Sequence, residues 1–244
     1  MKIVARLLIL ASMSTLIGCQ QFFTSSLVTF LRRPQAKITT LTATSASDLV
    51  SALQSNPDKA LAAASIGAFD KLIKSDPTNM TVLKDAAAVA VMASGLDTTM
   101  TKALTSLDIT SVMAGTKPSA EQLSTIGSSV SEAMASLGSS GASGIFEALA
   151  QSASTPEGVQ NLKDSGVGSQ TLVMAATAVA LSDISTQNPG IDLSQVISGT
   201  LPAGTVVNPP SAAAKQDIAN LASGIAAIDP NNQLLGMLQG MLKF

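Results

Sequence analysis

The chain has 244 residues, 46% of them hydrophobic, and its 14 basic and 16 acidic side chains give a net charge of −2. It contains no His, Trp or Tyr and one Cys. This composition excludes histidine-based acid–base catalysis, Ser-His-Asp triads, histidine metal sites and an intrachain disulfide. The weak charge and the lack of a basic patch also argue against nucleic-acid binding.

The N-terminus carries a short apolar segment behind a basic start. Lys2 and Arg6 are followed by an apolar run that begins at Leu7 and ends in Leu16-Ile17-Gly18-Cys19. This arrangement is typical of a secretory signal peptide, whose apolar region has about 7–15 residues. The run is shorter than the roughly 20 residues that a membrane-spanning helix needs.

The four residues that end at Cys19 resemble the lipobox of bacterial lipoproteins. This resemblance implies a signal peptide over residues 1–18, cleavage before Cys19, and acylation of Cys19 with palmitate-type chains that anchor the protein in a membrane. Because Gln20 follows the cysteine in place of the aspartate of inner-membrane lipoproteins, it also implies the outer membrane, facing the periplasm. A chance cysteine behind an ordinary secretory signal and a weak membrane anchor are the alternatives.

Residues 19–46 form a predicted tether, which is rich in Ser and Thr and contains Pro34. The cleavage would remove two basic residues and leave 12 basic against 16 acidic ones, a net charge of about −4. Arg32-Arg33 and Lys37 form the one basic cluster. They lie near the predicted anchor and either contact anionic headgroups, at about 1 kcal/mol each, or stay solvated.

Helix start and stop signals recur from Ser47, a predicted N-cap, to the end of the chain. Pro57 and Pro156 each mark the start of a helix, and Ser119 with Gln122 fits a capping box. No segment shows convincing strand alternation. The sequence therefore predicts an all-α domain over residues 47–244, built of stacked helical hairpins, either TPR-like or an irregular helical bundle. The predicted helices are 48–55, 57–75, 81–94, 97–107, 119–137, 145–152, 156–165, 171–185, 192–197, 211–228 and 230–242, with Gly/Ser-rich joints at 138–144 and 166–168 and a long loop at 199–210.

Two predicted helices are apolar on most sides and should be buried at the centre. Their sequences are similar, because Thr81-Val-Leu-Lys-Asp-Ala-Ala-Ala-Val-Ala-Val and Thr171-Leu-Val-Met-Ala-Ala-Thr-Ala-Val-Ala-Leu share five residues at an offset of 90. A two-fold internal repeat and the chance similarity of Ala-rich helices both explain this.

The segment around Ser65–Gly95 resembles the junction of two tetratricopeptide (TPR) repeats. Phe69 lies eight residues before Pro77, and Leu83, Ala86 and Ala90 fall near the packing positions of a following first helix. This resemblance implies a helical hairpin that stacks on its neighbours. TPR-like lipoproteins include subunits of solute-uptake systems and outer-membrane assembly factors.

Candidate catalytic groups are few. Thr81 with Lys84, and Thr99 with Lys102, have the spacing of a hydroxyl–lysine dyad, which is also common by chance in Ser/Thr-rich helices. The carboxylates of Asp48, Asp58, Asp70, Asp76, Asp85 and Asp97 are scattered, and most lie at caps or beside lysines. Asp70 and Lys74 are four residues apart, which predicts a surface ion pair. The sequence predicts no enzyme activity, no cofactor and no metal site.

The C-terminal helix has an apolar stripe that binds either a partner or the same chain, formed by Leu234, Leu238, Met241 and Leu242. Taken together, these features predict a non-catalytic binding, scaffold or adaptor protein of the bacterial cell envelope. It would contact the membrane through lipid on Cys19 and a protein partner in the envelope. The alternative is an accessory subunit of a solute-uptake system that binds or passes a small ligand.

Overall fold

The structure, a computed structural model, describes residues 38, 40–106, 119–198 and 200–232. These residues form helices joined by short turns, and no strand occurs among them, so the predicted all-α fold is confirmed. The helices are α1 (Ala43–Ser55), α2 (Lys59–Ser75), α3 (Met80–Ser94), α4 (Leu96–Ser106), α5 (Ala120–Ser140), α6 (Ala142–Ser152), α7 (Pro156–Asp164), α8 (Ser169–Gln187), α9 (Leu193–Ser198) and α10 (Ala212–Ile228).

Side-chain caps set most of the helix starts. The predicted capping box at Ser119 and Gln122 is confirmed, since each side chain accepts a hydrogen bond from the backbone N–H of the other residue. Pro156 occupies the first turn of α7 behind the cap of Thr155, as predicted. Asp58 is itself the N-cap of α2, so the neighbouring proline precedes the helix instead of opening it.

The first helix starts earlier than the sequence predicts. Thr42, not Ser47, is its N-cap, and Thr42 forms a capping box with Ser45. Residues 43–46 are therefore helical rather than part of the tether, and the side chain of Ala46 belongs to the core. The helical domain thus begins before the predicted boundary at residue 47.

The predicted Gly/Ser joint at residues 138–144 is almost entirely helical. α5 continues through Gly138 to Ser140, and α6 begins at Ala142. The break is the single residue Gly141, whose φ of 74° lies in the left-handed region that glycine adopts without strain. One residue therefore turns the chain between two helices that pack against each other.

The core surrounds α3 and α8, the two helices that the sequence places at the centre. α3 packs on α1, α2, α5 and α6, and α8 packs on α5, α6 and α10. All side chains from Leu172 to Leu181 are buried. One connected apolar cluster extends from Ala46 to Ile225, so the described helices form a single bundle with a shared core.

Small residues let the helices approach closely. A Cβ atom placed on Gly127 of α5 would lie 2.9 Å from both the Cα and the carbonyl oxygen of Ser194 in α9. On α10, a Cβ on Gly224 would lie 3.0 Å from Leu172 Cδ1. Close helix contact through small side chains thus contributes core density in a chain with six Phe and no larger aromatic residue.

Candidate functional site

The predicted lipidation site, Cys19, lies outside the described residues. The same is true of the signal peptide over residues 1–18, the basic cluster Arg32-Arg33 with Lys37, and the apolar stripe over residues 234–242. These assignments stay predictions. Within the described part of the chain, no helix combines the length and the apolar character needed to cross a membrane.

Asp85 is the one buried carboxylate among the described residues, with 6% of its surface exposed. It lies on α3, and the hydroxyl of Ser47 on α1 donates a hydrogen bond to its Oδ2 over 2.5 Å. A buried polar group needs such a partner, because water no longer solvates it. The pair therefore fixes α1 on α3. In the sequence, Asp85 follows Lys84, and this position did not predict the contact.

A second carboxylate fixes the start of α10. Asp183 near the end of α8 accepts hydrogen bonds from the backbone nitrogen of Ser211, over 2.6 Å, and from its hydroxyl, over 2.8 Å. The hydroxyl oxygen of Ser211 accepts in turn from the backbone nitrogen of Ala214, so Ser211 is the N-cap of α10. Asp183 thus positions the cap residue rather than forming part of a reactive group.

Two asparagines close the long loop at its base. The backbone nitrogen of Asn208 donates to Asn188 Oδ1 over 2.7 Å, and Asn188 Nδ2 donates to the carbonyl oxygens of Asn208, over 3.1 Å, and Ile184, over 2.7 Å. We call this arrangement, which the sequence did not predict, the asparagine clasp. The available signal was that each asparagine directly precedes a proline.

The loop above the clasp is the most exposed irregular segment that the structure describes. Residues 202–206 are all exposed, and 77% of the Val206 surface is accessible. Gly204 has a φ of 87°, and the backbone nitrogen of Thr205 donates to the carbonyl oxygen of Pro202, which makes a tight turn. The predicted loop is therefore confirmed as a projecting turn on a fixed base. Loops held in this way often carry function.

Two carboxylates have shifted pKa values. Hydrogen bonds from the hydroxyl and the backbone nitrogen of Ser194, together with one from the Ser131 hydroxyl, lower the pKa of Asp192. The bond from Ser131 joins Asp192, which directly precedes α9, to α5. Partial burial raises the pKa of Asp217 on α10.

In one of the two hydroxyl–lysine pairs, the hydroxyl is engaged in a contact between helices. Thr99 is buried and donates to the carbonyl oxygen of Ser129 over 3.1 Å, so its hydroxyl joins α4 to α5. Thr81 is exposed at the start of α3. The predicted surface pair of Asp70 and Lys74 is confirmed, with 2.7 Å between Oδ2 and Nζ. Its exposure limits its contribution to a few tenths of a kcal/mol.

The described residues contain no group of three or more carboxylate, cysteine or histidine side chains placed to hold a metal ion. Over the part of the chain that the structure describes, the fold and these contacts define a small-residue helical bundle with an exposed loop at residues 200–210. No family model, curated protein or solved structure matches the chain. The functional assignment therefore rests on the residues themselves.

Proposed function

We propose that this chain is a lipid-anchored, periplasm-facing protein of the bacterial cell envelope that acts as a non-catalytic scaffold or adaptor. The observation that carries the proposal is the sequence Leu16-Ile17-Gly18-Cys19 behind a basic, apolar N-terminus. A lipid on Cys19 would hold the helical domain at a membrane surface, and more than one acyl chain would make the attachment stable.

The polar contacts in the helical domain support the non-catalytic part of the proposal. The hydroxyl and carboxylate groups of Ser47, Asp85, Thr99, Asp183 and Ser211 all take part in contacts between helices. The composition removes histidine from the available chemistry, and the single cysteine is the proposed lipid acceptor. The loop at residues 200–210 is the surface that we propose for contact with an envelope protein.

The anchor is tested by Cys19→Ser, with Gln20→Ser as the matched control. We expect the Cys19→Ser protein to leave the membrane fraction and the control to remain in it, because only the first change removes the acyl acceptor. The measurement is fractionation followed by mass spectrometry of the N-terminal peptide. A Cys19→Ser protein that stays in the membrane fraction and is cleaved at the same place would contradict lipidation.

The outer-membrane location has a separate test. We expect Gln20→Asp to move the protein to the inner membrane, as the resemblance to bacterial lipoproteins implies. Density-gradient separation of the two membranes measures this redistribution. An unchanged position on the gradient, with lipidation intact, would refute the sorting argument but leave the anchor in place.

The partner is tested by a photo-crosslinking residue at Val206, with the same residue at Ser128 as a control. Both positions are exposed, and Ser128 lies on α5. We expect a discrete adduct with one envelope protein from position 206. The yield of this adduct should be much lower from position 128 and in the Cys19→Ser background. Equal adducts at both positions, or none at Val206, would count against a specific contact through the loop.

The hairpin of α2 and α3 favours a second candidate, an accessory subunit of a solute-uptake system. Phe69 is fully buried within the segment that resembles TPR repeats, and α2 and α3 pack closely. A small ligand that binds only the folded protein would raise its melting temperature. Melting of the purified protein with pooled periplasmic solutes tests this candidate, and an unchanged melting temperature opposes it.

A further inference from the structure

We infer that residues 43–228 consist of two diverged copies of one helical unit joined in tandem. Unit 1 contains α1, α2, α3 and α5, and unit 2 contains α6, α7, α8 and α10. The inference extends the similarity of the two central helices to the whole domain. It is independent of the proposed function and rests on sequence and on packing.

A second stretch of similarity lies outside the Ala-rich helices. Asp108-Ile-Thr-Ser-Val-Met-Ala-Gly-Thr-Lys-Pro118 corresponds to Asp192-Leu-Ser-Gln-Val-Ile-Ser-Gly-Thr-Leu-Pro202. Asp, Val, Gly, Thr and Pro are identical, and most of the other pairs are similar in size and polarity. An alanine-rich composition does not produce this mixed pattern. Its offset of 84 is close to the offset of 90 between the central helices.

Helix-start signals occur in the same order in both units. Pro57-Asp58 precedes α2, and Pro156-Glu157 opens α7. In the last helix of each unit, Ser119 caps α5 and Ser211 caps α10, and alanine follows both serines. The similar segments thus lie at corresponding positions in the two units.

The packing repeats as well. The first and third helices of each unit pack together, and so do the first and second, the third and last, and the second and last. In chain order these pairs are α1–α3 with α6–α8, α1–α2 with α6–α7, α3–α5 with α8–α10, and α2–α5 with α7–α10. The units also differ. α2 packs extensively along α3, whereas the shorter α7 makes little contact with α8, and α6 contacts α10 whereas α1 makes little contact with α5. α10 packs on α8 more extensively than α5 packs on α3, and α4 has no counterpart in unit 2.

The units contact each other chiefly through α3 with α6, and also through α5 with α8 and through the two central helices. Val91 on α3 packs against Met174 on α8, and the single residue Gly141 joins the last helix of unit 1 to the first helix of unit 2. Three corresponding core positions of the central helices carry identical residues. Ala86, Val89 and Ala90 of α3 correspond to Ala176, Val179 and Ala180 of α8, and all six are buried.

The comparison of the units identifies what unit 2 has gained. Gly115 lies four residues before Ser119, whereas Gly199 lies twelve residues before Ser211. Unit 2 therefore carries eight extra residues, in the loop that exposes Val206 and that the asparagine clasp closes. This addition distinguishes the surface of unit 2 from that of unit 1.

A transplantation experiment on the full mature chain tests the duplication. One chimera receives the sequence of residues 171–181 at positions 81–91, with Asp85 retained for Ser47. The matched control receives the same sequence one residue later, at positions 82–92, again with Asp85 retained. The reciprocal variant carries Leu172→Val, Val173→Leu, Thr177→Ala and Leu181→Val. Circular dichroism in detergent follows each thermal transition.

We expect the in-register chimera and the reciprocal variant to melt cooperatively, with midpoints lowered by less than about 10 °C. The shifted chimera replaces Val89 by alanine and Ala90 by valine, which opens a cavity beside an overpacked site. We expect it to lose its cooperative transition, or to have a melting midpoint that is lowered at least twice as much as that of the in-register chimera. An in-register chimera as unstable as the shifted one would overturn the duplication, as would a shifted chimera as stable as the in-register one.

Discussion

The hydrogen bond from Ser47 to Asp85 shows how one polar pair can fix two helices. The carboxylate is buried, and the hydroxyl is its partner across the contact of α1 and α3. Removing one member of such a pair leaves the other desolvated without compensation, which costs more than the net value of the bond. Removing both members recovers part of the lost stability, because no buried polar group is then left unpaired.

We therefore expect Ser47→Ala to lower the free energy of unfolding by about 1–3 kcal/mol. Ser51→Ala on the same helix is the control, because the Ser51 hydroxyl is exposed and bonds only to the carbonyl oxygen of Ser47. Urea denaturation measures both changes. The double variant Ser47→Ala with Asp85→Ala should recover part of the loss that the two single changes would give by addition. Strict additivity would show that the pair is not coupled.

Asp217 contributes to the pH dependence in the opposite direction from Asp192. Partial burial raises the pKa of Asp217 in the folded chain, so folding favours its protonated form. Its contribution to stability is present below the pKa of the unfolded chain and is lost as the pH rises through the raised value. For Asp192 the folded pKa is lowered, so its contribution is present at neutral pH and is lost in acid.

We expect Asp217→Asn to raise the melting temperature at pH 7, because the variant has no carboxylate to desolvate. The gain should shrink as the pH falls below 4, where the natural side chain is also neutral. Glu132→Gln is the control, since Glu132 is exposed on α5. Melting curves of all three proteins between pH 3 and 7 measure the effect, and a gain that is constant over this range would contradict the burial argument.

At the scale of elements, two glycines on α5 should respond oppositely to the same substitution. Gly127 approaches the backbone of Ser194, whereas nothing lies within 4 Å of a Cβ placed on Gly138. Gly127→Ala should separate α5 from α9 and destabilise the protein, since the obstructing atoms include backbone. Gly138→Ala should stabilise it by about 0.5–1 kcal/mol, because alanine favours a helix interior. Chemical denaturation gives both signs, and equal signs would refute the close approach.

Helix boundaries could be predicted where one capping group had no competitor. Ser119 with Gln122 and Thr155 with Pro156 show this, and the structure confirms both starts. The predicted start of α1 was wrong because Thr42 and Ser47 are both good N-cap residues, and the Ser47 side chain bonds to α3 instead. Local sequence does not contain that tertiary contact. The predicted end of α5 was wrong because the helix tolerates Gly138 in its interior and continues to Ser140.

The candidate site was less predictable than the fold. The asparagine clasp joins residues 20 positions apart, and Asp183 meets Ser211 from 28 positions away. Neither pairing follows from a spacing rule, because both depend on how α8 and α10 pack. The burial of α3 and α8 could be predicted, since both are apolar on nearly all sides.

At the scale of the molecule, the two proposed units share one apolar cluster, so they should unfold together. Leu149 lies on α6, which packs on α3 of unit 1 and on α8 and α10 of unit 2, and its side chain is fully buried. Truncating it removes contacts within a cluster that extends through both units. The resulting cavity should destabilise the whole domain by about 2–5 kcal/mol.

We expect Leu149→Ala to shift a single thermal transition to lower temperature without splitting it. The reason is that the buried apolar residues of both units belong to one cluster over the described residues. Differential scanning calorimetry tests this by comparing the calorimetric and van't Hoff enthalpies, which should agree in both proteins. Leu61→Ala is a control of the same chemistry at a half-buried position on α2, and its shift should be smaller. Two separable transitions in the Leu149→Ala protein would show instead that each unit is stable alone.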